Sequence, residues 1–296
     1  MTHFSSAVSV IVPVWNDRVR LQTCLEAISA QTYPADLVET LVIDNGSADN
    51  PQALAGSFPR VQFLHEPRPG SYHARNLGVR HARGPVLAFT DSDCIPASDW
   101  IACAVKRVAA LSPVGFVSGS VKVVPRDPAR PTLAEVYDMV VGFPQEEHVE
   151  HAHFGSTCNL FTTAEVFETV GLFDSSLRSG GDADWGNRVY AAGRPVVYAE
   201  EVRILHPARR TFHEHAQRAR RLAGGMLMRE RNRPFQLLWG QIKELLPHPF
   251  FVRRILTSQV VRGAGTRALL LGVMMSLRYV KFLERMRVLL GGQPLR

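Results

Sequence analysis

The sequence lacks any apolar run long enough to cross a membrane as a helix. No window approaches the ~18 uncharged apolar residues that a span requires. Within the C-terminal third the longest uncharged run, Ala268–Leu277, has only ten residues. A basic start followed by an apolar stretch is also missing, so no secretory leader is expected. The four cysteines, Cys24, Cys94, Cys103 and Cys158, form no C-x-x-C pair. That argues against a zinc knuckle and against a disulfide framework. Together these absences point to a reduced, cytoplasmic setting. Repeats and low-complexity tracts are absent too. With 296 residues, 46% of them hydrophobic, the chain can bury a real core, as one large domain or as one domain with an appendage.

Acidic residues are scarce in one stretch only. Residues 203–296 hold 4 Asp/Glu against 19 Lys/Arg, whereas residues 1–202 hold 23 against 15. A globular domain does not need that asymmetry. It points to an acidic body followed by a basic tail that meets something anionic.

The body alternates strand-like and helix-like segments. Val8–Val12 is β-branched and bounded by Pro13, so it reads as a buried strand. A helical pattern follows over about Arg18–Gln31, with Leu21, Leu25 and Ile28 on one stripe. Leu41-Val42-Ile43 is a second strand, ending in the turn cluster Asp44-Asn45-Gly46-Ser47. Val61–Leu64 is a third strand, followed by a Pro/Gly loop and a helix over about Ser71–Ala82. Val86–Phe89 is the fourth, and it runs directly into Asp91. This order argues for an α/β fold around a parallel, doubly wound sheet, whose ligands bind beyond the carboxyl ends of the strands. Trp15, Asp44 and Asp91 all stand at such ends.

The segment Arg75-Asn76-x-Gly78, then Ala82-x-Gly84, Phe89, Asp91 and Asp93 resembles the family 2 glycosyltransferases of the GT-A fold. Val8–Asn16 and Val42–Asp49 are similar to that family's first two strand ends. The resemblance covers residues 8–206. It implies an inverting, metal-dependent enzyme that moves a sugar from a nucleotide-sugar donor of the UDP or GDP class to a hydroxyl acceptor. A cell-envelope glycan or lipid-linked saccharide is the expected acceptor. The chemistry suits the residues, because a departing diphosphate accumulates charge that Mg²⁺ or Mn²⁺ can neutralise, and such cations take oxygen ligands. By resemblance Asp93 holds the metal and Asp91 orients the ribose or sugar. Asp44 accepts a hydrogen bond from the base, Pro13 and Trp15 line the base pocket, and Arg75 contacts base or phosphate. His206, before Pro207, stands where many such enzymes place a third metal ligand. Read without the resemblance, Asp-Ser-Asp and Asp44-Asn45-Gly46-Ser47 are turn chemistry.

A second block resembles the family's acceptor side: Gly171-Leu172-Phe173-Asp174, then Gly180-Gly181-Asp182-Ala183-Asp184-Trp185 and Arg188. The resemblance makes Asp182 the general base, with Asp184 and Trp185 on the acceptor side. Gly181 stands where the family usually has glutamate. That departure is the one feature favouring the alternative, a catalytically degenerate relative that binds sugar nucleotide or acts as a membrane-surface interaction protein. The bland reading of Asp182 and Asp184 is a helix N-terminus, and a helix start is also a good place to fix a carboxylate.

The expected organisation is a catalytic domain over residues 1–206, with a nucleotide-sugar half (1–112) and an acceptor half (113–206). A basic amphipathic helical extension follows over 207–296. In the extension Arg267, Arg278, Lys281 and Arg285 share one helical face, with Leu269, Val273, Val280 and Leu283 mainly opposite. A helix of this kind suits an anionic membrane surface, through residues 250–296, and a peripheral position on the inner face of the membrane. Packing on the body or in a homodimer is the other arrangement. Nucleic acid is not expected, because no recognisable module and no interleaved aromatics are present. His148, His151 and His153 lack strict ligand spacing, so no transition-metal site is assigned to them.

Overall fold

The protein is represented by a computed structural model that describes residues 6–230 and 234–293. Eight strands form one sheet: β1 (Val8–Val14), β2 (Val38–Asp44), β3 (Val61–His65), β4 (Val86–Thr90), β5 (Ile95–Pro96), β6 (Phe116–Val124), β7 (Asn159–Thr163) and β8 (Val196–Pro207). Their order is β3-β2-β1-β4-β7-β6-β8-β5. The β3-β2-β1-β4 part is parallel, as the alternating pattern predicts, whereas β7 joins β4 and β6 antiparallel and β5 joins β8 antiparallel. The four parallel-joined strands bring the ends of β1, β2 and β4 to one edge.

The body's helices are α1 (Arg18–Ser29), α2 (Ser71–His81) and α3 (Trp100–Ala109), and the second half of the chain adds α4 (Leu133–Val141), α5 (Gln145–Ala152), α6 (Ala164–Val170) and α7 (Gly181–Ala191). Between β2 and β3 the connection is a single 3₁₀ turn, Pro51–Leu54, rather than an α-helix. Proline opens that turn, and the preceding Asn50 sits in the left-handed region at φ 51°.

The chain divides into two compact units. The first comprises Met1–Lys122, Pro144–Ser176 and Gly181–His206. Its core rests on strands without a solvent face: Val8, Val10, Ile11, Leu41, Ile43, Leu87 and Phe89 are all fully buried, as expected of strands covered on both sides. Helix α2 lies close on β1, because a Cβ on Gly78 would come 2.5 Å from Ile11 Cγ2. Asn76, one turn away from Tyr72, pairs with the backbone of Phe173 in both directions, at 2.8 and 3.1 Å. Two members of the R-N-x-G signature therefore pack the helix, and Arg75 is left to face the site.

The second unit comprises Val123–Phe143, Leu177–Gly180 and Pro207–Arg296. It holds α4 and four further helices: α8 (Phe212–Glu230), α9 (Pro234–Glu244), α10 (Pro249–Thr257) and α11 (Ala264–Leu289). Pro234 and Pro249 open α9 and α10, the position where a missing N–H costs least. Buried Asp138 on α4 accepts the backbone N–H of Arg209 at 2.9 Å and its guanidinium at 3.0 Å. Leu270, Met274 and Leu277 of α11 pack with Tyr137, Val140, Ala216 and Ala219.

The faces of α11 differ from the sequence reading. Arg278 and Arg285 are buried, while Leu269 and Leu283 are exposed. For Arg278 a counter-charge distant in sequence explains the inversion: it lies 3.5 Å from buried Glu244 and donates to the Lys243 carbonyl. Val273 and Val280, expected opposite the cations, lie against the apolar cluster.

Candidate active site

Four strand ends and one helix start supply the site, all within the first unit. Helix α2 follows Gly70, whose φ of 133° only glycine adopts comfortably. Tyr72 and Arg75 are one turn apart, so they share a face of α2. Arg75 is almost fully buried and donates to Asp91 Oδ1 at the end of β4. Its guanidinium carbon lies 5.9 Å from the centre of the Tyr72 ring, and its Nε is buried with no hydrogen-bond partner.

The Tyr72 hydroxyl serves the other side of this face. It accepts the N–H groups of Gly181 at 2.8 Å and Asp182 at 3.3 Å, and lies 3.4 Å from Asp182 Oδ1. Burial first, and Asp182 second, push the phenol's pKa up, so it stays protonated and can donate to the carboxylate. Asp182 sits in the first turn of α7, and its Oδ1 accepts the Ala183 N–H at 2.9 Å. Burial raises its carboxyl above the ordinary range, an effect opposed by the Ala183 bond, the Arg75 charge and the Tyr72 hydroxyl. One helical face thus touches Asp91 and Asp182, two carboxylates 91 positions apart in the chain.

Gly181 acquires a physical reason here. A Cβ at this position would lie 2.7 Å from two carbons of the Tyr72 ring. The glutamate usual in the resembling family has no room beside this tyrosine. Gly181→Ala is expected to destabilise the protein by about 1–3 kcal/mol, the cost of overpacking a buried ring. Thermal denaturation of the single variant, and of Gly181→Ala with Tyr72→Ser, checks this. Little or no loss in the second background is the expected result.

A short antiparallel pair joins the other two polar groups. β5 pairs with β8 so that Ile95 faces Leu205, which brings the neighbouring Asp93-Cys94 turn beside His206. Asp93 Oδ2 lies 3.7 Å from His206 Nε2 and 3.8 Å from Arg20 Nη1. A gap of 3.7 Å is too wide for a good hydrogen bond. It is close to the spacing of about 3–3.5 Å between two ligands that each sit ~2.1 Å from one ion. An oxygen and an imidazole nitrogen fit a divalent cation of the Mn²⁺ kind better than Mg²⁺, which favours oxygen throughout. Cys94 is also within 4.8 Å of this pair. Burial, followed by Cys158, pushes its thiol well up, and a hard cation prefers oxygen ligands to sulfur.

Around the nucleotide side, loops after β1 and β2 are tied together. Asn16 N–H donates to Ser47 Oγ at 2.9 Å, and Ala48 N–H donates to Asn16 Oδ1 at 2.7 Å. Asp44 accepts the Ser47 N–H at 2.9 Å through Oδ1, leaving Oδ2 facing His65 at 3.6 Å. Pro13 is half-buried in β1, and Trp15 just beyond it is exposed. The expected turn reading and the expected base-pocket reading of Asp44 are both compatible with this arrangement, since one carboxylate oxygen caps the turn and the other faces outward.

Not every expected residue reaches the site. Trp185 is fully buried, donates to the Gly171 carbonyl at 3.1 Å and stacks on Phe167 at 4.7 Å, so it is core rather than an acceptor platform. Asp184 pairs with Arg188 at 3.0 Å, and Arg188 Nη2 donates to the Leu172 carbonyl at 2.7 Å. That pair fixes the Gly171–Asp174 turn. Three contributors were not visible in the sequence reading. Tyr72, one turn before Arg75, reads in the sequence as a packing aromatic. Asp17 pairs with Arg20 at 2.7 Å and is raised by burial beside Asp93 and Ser92. Asn45 holds the loop before α2, donating to the carbonyls of Glu66 at 2.9 Å and Arg68 at 2.7 Å and accepting Gly70 N–H at 2.7 Å.

Comparisons with known proteins give the family and the fold. The profile described as Glycosyl transferase family 2 matches residues 9–167. Glycosyltransferase AglE of Haloferax volcanii is 37% identical over 214 residues, which is 71% of this chain and 69% of that protein. Among solved structures, the mannosyltransferase PcManGT from Pyrobaculum calidifontis, in complex with GDP-Man and Mn²⁺, superposes with a TM-score of 0.66 at 20% identity. That superposition covers 97% of this chain and 88% of the other. TarS of S. aureus, residues 1–349, gives a TM-score of 0.52 at 15% identity, covering 95% and 72%. The curled, mostly parallel sheet is therefore of the GT-A type.

Proposed function

The chain belongs to glycosyl transferase family 2, and from that membership we propose that it moves a sugar from a UDP- or GDP-sugar to a hydroxyl acceptor with inversion at the anomeric carbon. The observation that carries the reading is the α2 face: Arg75 meets the donor-side Asp91, and Tyr72 meets the acceptor-side Asp182. The GDP-Man and Mn²⁺ held by PcManGT support a nucleotide-sugar donor and a divalent cation here as well.

On the donor side Pro13, Trp15 and Asp44 take the base, and Asp91, fixed by Arg75, orients the ribose or sugar. Asp93 and His206 hold the cation, which when bound supplies positive charge to the diphosphate leaving group. Asp182 removes the proton from the acceptor hydroxyl. Its carboxyl lies higher than usual, and a base poised nearer neutral pH transfers protons more effectively. A carboxylate that acts as base on the acceptor, and not as a nucleophile on the sugar, gives a single displacement and hence inversion. We take the acceptor to be a cell-envelope glycan or lipid-linked saccharide, and the protein to work peripherally at the inner face of the membrane.

Two measurements follow. Proton NMR of the sugar first released or transferred from an α-linked donor should show the β-anomer; retention of the α-anomer would overturn the displacement. The acid limb of the rate–pH profile should lie above the ordinary carboxylate range, because Asp182 is active deprotonated and is lost as pH falls through its raised pKa. Tyr72→Phe removes a donor to that carboxylate and should move the limb to still higher pH. An unmoved limb would remove Asp182, or its coupling to Tyr72, from the mechanism.

A further inference from the structure

The second unit carries its charges in an unusual arrangement. Glu244 and Glu284 are both buried, Glu244 against buried Arg278 and Glu284 against exposed Arg287. Outside, Arg220, Arg221, Arg253, Arg262 and Arg287 are exposed. Among the described side chains from residue 207 on, the exposed acid is Glu214, which caps the start of α8 by accepting the Arg210 N–H at 2.7 Å.

The same unit carries an exposed apolar stripe. On α11 Leu269, Tyr279 and Leu283, and Leu290 just beyond its end, recur at helical spacing and are 61%, 54%, 48% and 83% exposed. At 1.5 Å per residue the stripe is about 30 Å long. Trp239 on α9 and Leu246 beyond its end are further exposed apolar side chains of the same unit. Exposed apolar surface of this extent marks an interaction or membrane site. Its Tyr and Trp are the residues that favour a membrane–water interface. Among the described residues no helix is long and apolar enough to cross a bilayer, so a helix of this composition lies along the surface instead.

We propose that this outward stripe of α11 seats the protein on an anionic phospholipid bilayer, with Leu269, Tyr279 and Leu283 at the headgroup boundary and the exposed arginines of the unit supplying the attraction to the headgroups. The inference rests on the peripheral reading above and names the surface that carries it. The contact face is not the Arg278–Lys281–Arg285 side that the sequence pattern offers to headgroups. A second copy of the chain is disfavoured as the occupant, because a face-to-face pair would bring two cationic units together. An anionic surface meets the same unit with complementary charge.

The test is co-sedimentation of the full chain with vesicles of pure phosphatidylcholine and of phosphatidylcholine with 30% phosphatidylglycerol (~0.3 mole fraction, a typical anionic surface). Binding to the anionic vesicles, weakened by salt, is expected. Leu269→Glu with Leu283→Glu should lower the partition coefficient by about tenfold or more, with circular dichroism unchanged because both positions are exposed. Undiminished binding of the double variant would overturn the stripe and leave the peripheral reading standing. If the wild type binds neither vesicle, the peripheral reading falls with it. A wild-type dimer, dispersed by the same substitutions and indifferent to lipid, would assign the face to a second copy and overturn the proposal.

Discussion

Asp182→Asn is expected to lower sugar transfer by about 10²–10⁴-fold, the contribution typical of a positioned general base. Asparagine keeps the size of the side chain and can still accept the Ala183 N–H through its carbonyl oxygen. It cannot take a proton from an incoming hydroxyl. The effect should therefore fall on kcat, with donor affinity unchanged. The separation matters because Asp182 also opens α7, where a carboxylate favours the positive end of the helix. A purely structural role predicts a lower melting temperature and weakened donor binding together. Loss of nucleotide affinity in Asp182→Asn, rather than loss of turnover, would assign it that role.

Asp93→Ala is expected to lower donor-dependent turnover by about 10²–10³-fold, the scale of losing one preorganised electrostatic partner of the transition state. Asp93 is the carboxylate that faces His206, whereas Asp91 is already committed to Arg75. The two aspartates of the motif are thus unequal, and their variants should differ. Asp93→Ala should remove the stimulation by Mn²⁺, while Asp91→Ala should weaken donor binding and free Arg75. Both are measured by donor hydrolysis over a metal titration. A metal response unchanged in Asp93→Ala would end the assignment of that residue.

Much of the donor side was legible in the sequence because it depends on local signals. A β-branched run that stops abruptly at a polar residue marks a strand end, and Asp44 and Asp91 stand at such ends. What the sequence could not reveal is non-local. His206 could be set beside Asp93 only through the family resemblance, because the two-residue strand β5 that joins them is too short to leave a pattern of its own. Tyr72 matters through its hydroxyl, and nothing in a helical repeat distinguishes it from a packing aromatic. Gly181 read as a departure favouring a degenerate relative until the ring beside it supplied a packing reason. Trp185 failed in the opposite direction: an aromatic in the first turns of a helix looks the same whether it packs inward or meets a sugar. On α11 the 3.6-residue period grouped Leu269, Val273, Val280 and Leu283 on one face, yet Val273 and Val280 turn inward while Leu269 and Leu283 are exposed. It could not say which faces inward, because the deciding acid on α9, Glu244, lies 34 positions before Arg278.

The central claim is that a sugar nucleotide is held through a divalent cation at Asp93 and His206. Calorimetric titration of the full chain with UDP- and GDP-sugars, with and without Mn²⁺, tests it most directly. One donor class should bind only when Mn²⁺ is present, and Asp93→Ala should not bind it under either condition. Binding of equal strength without metal, unaffected by Asp93→Ala, would contradict the account.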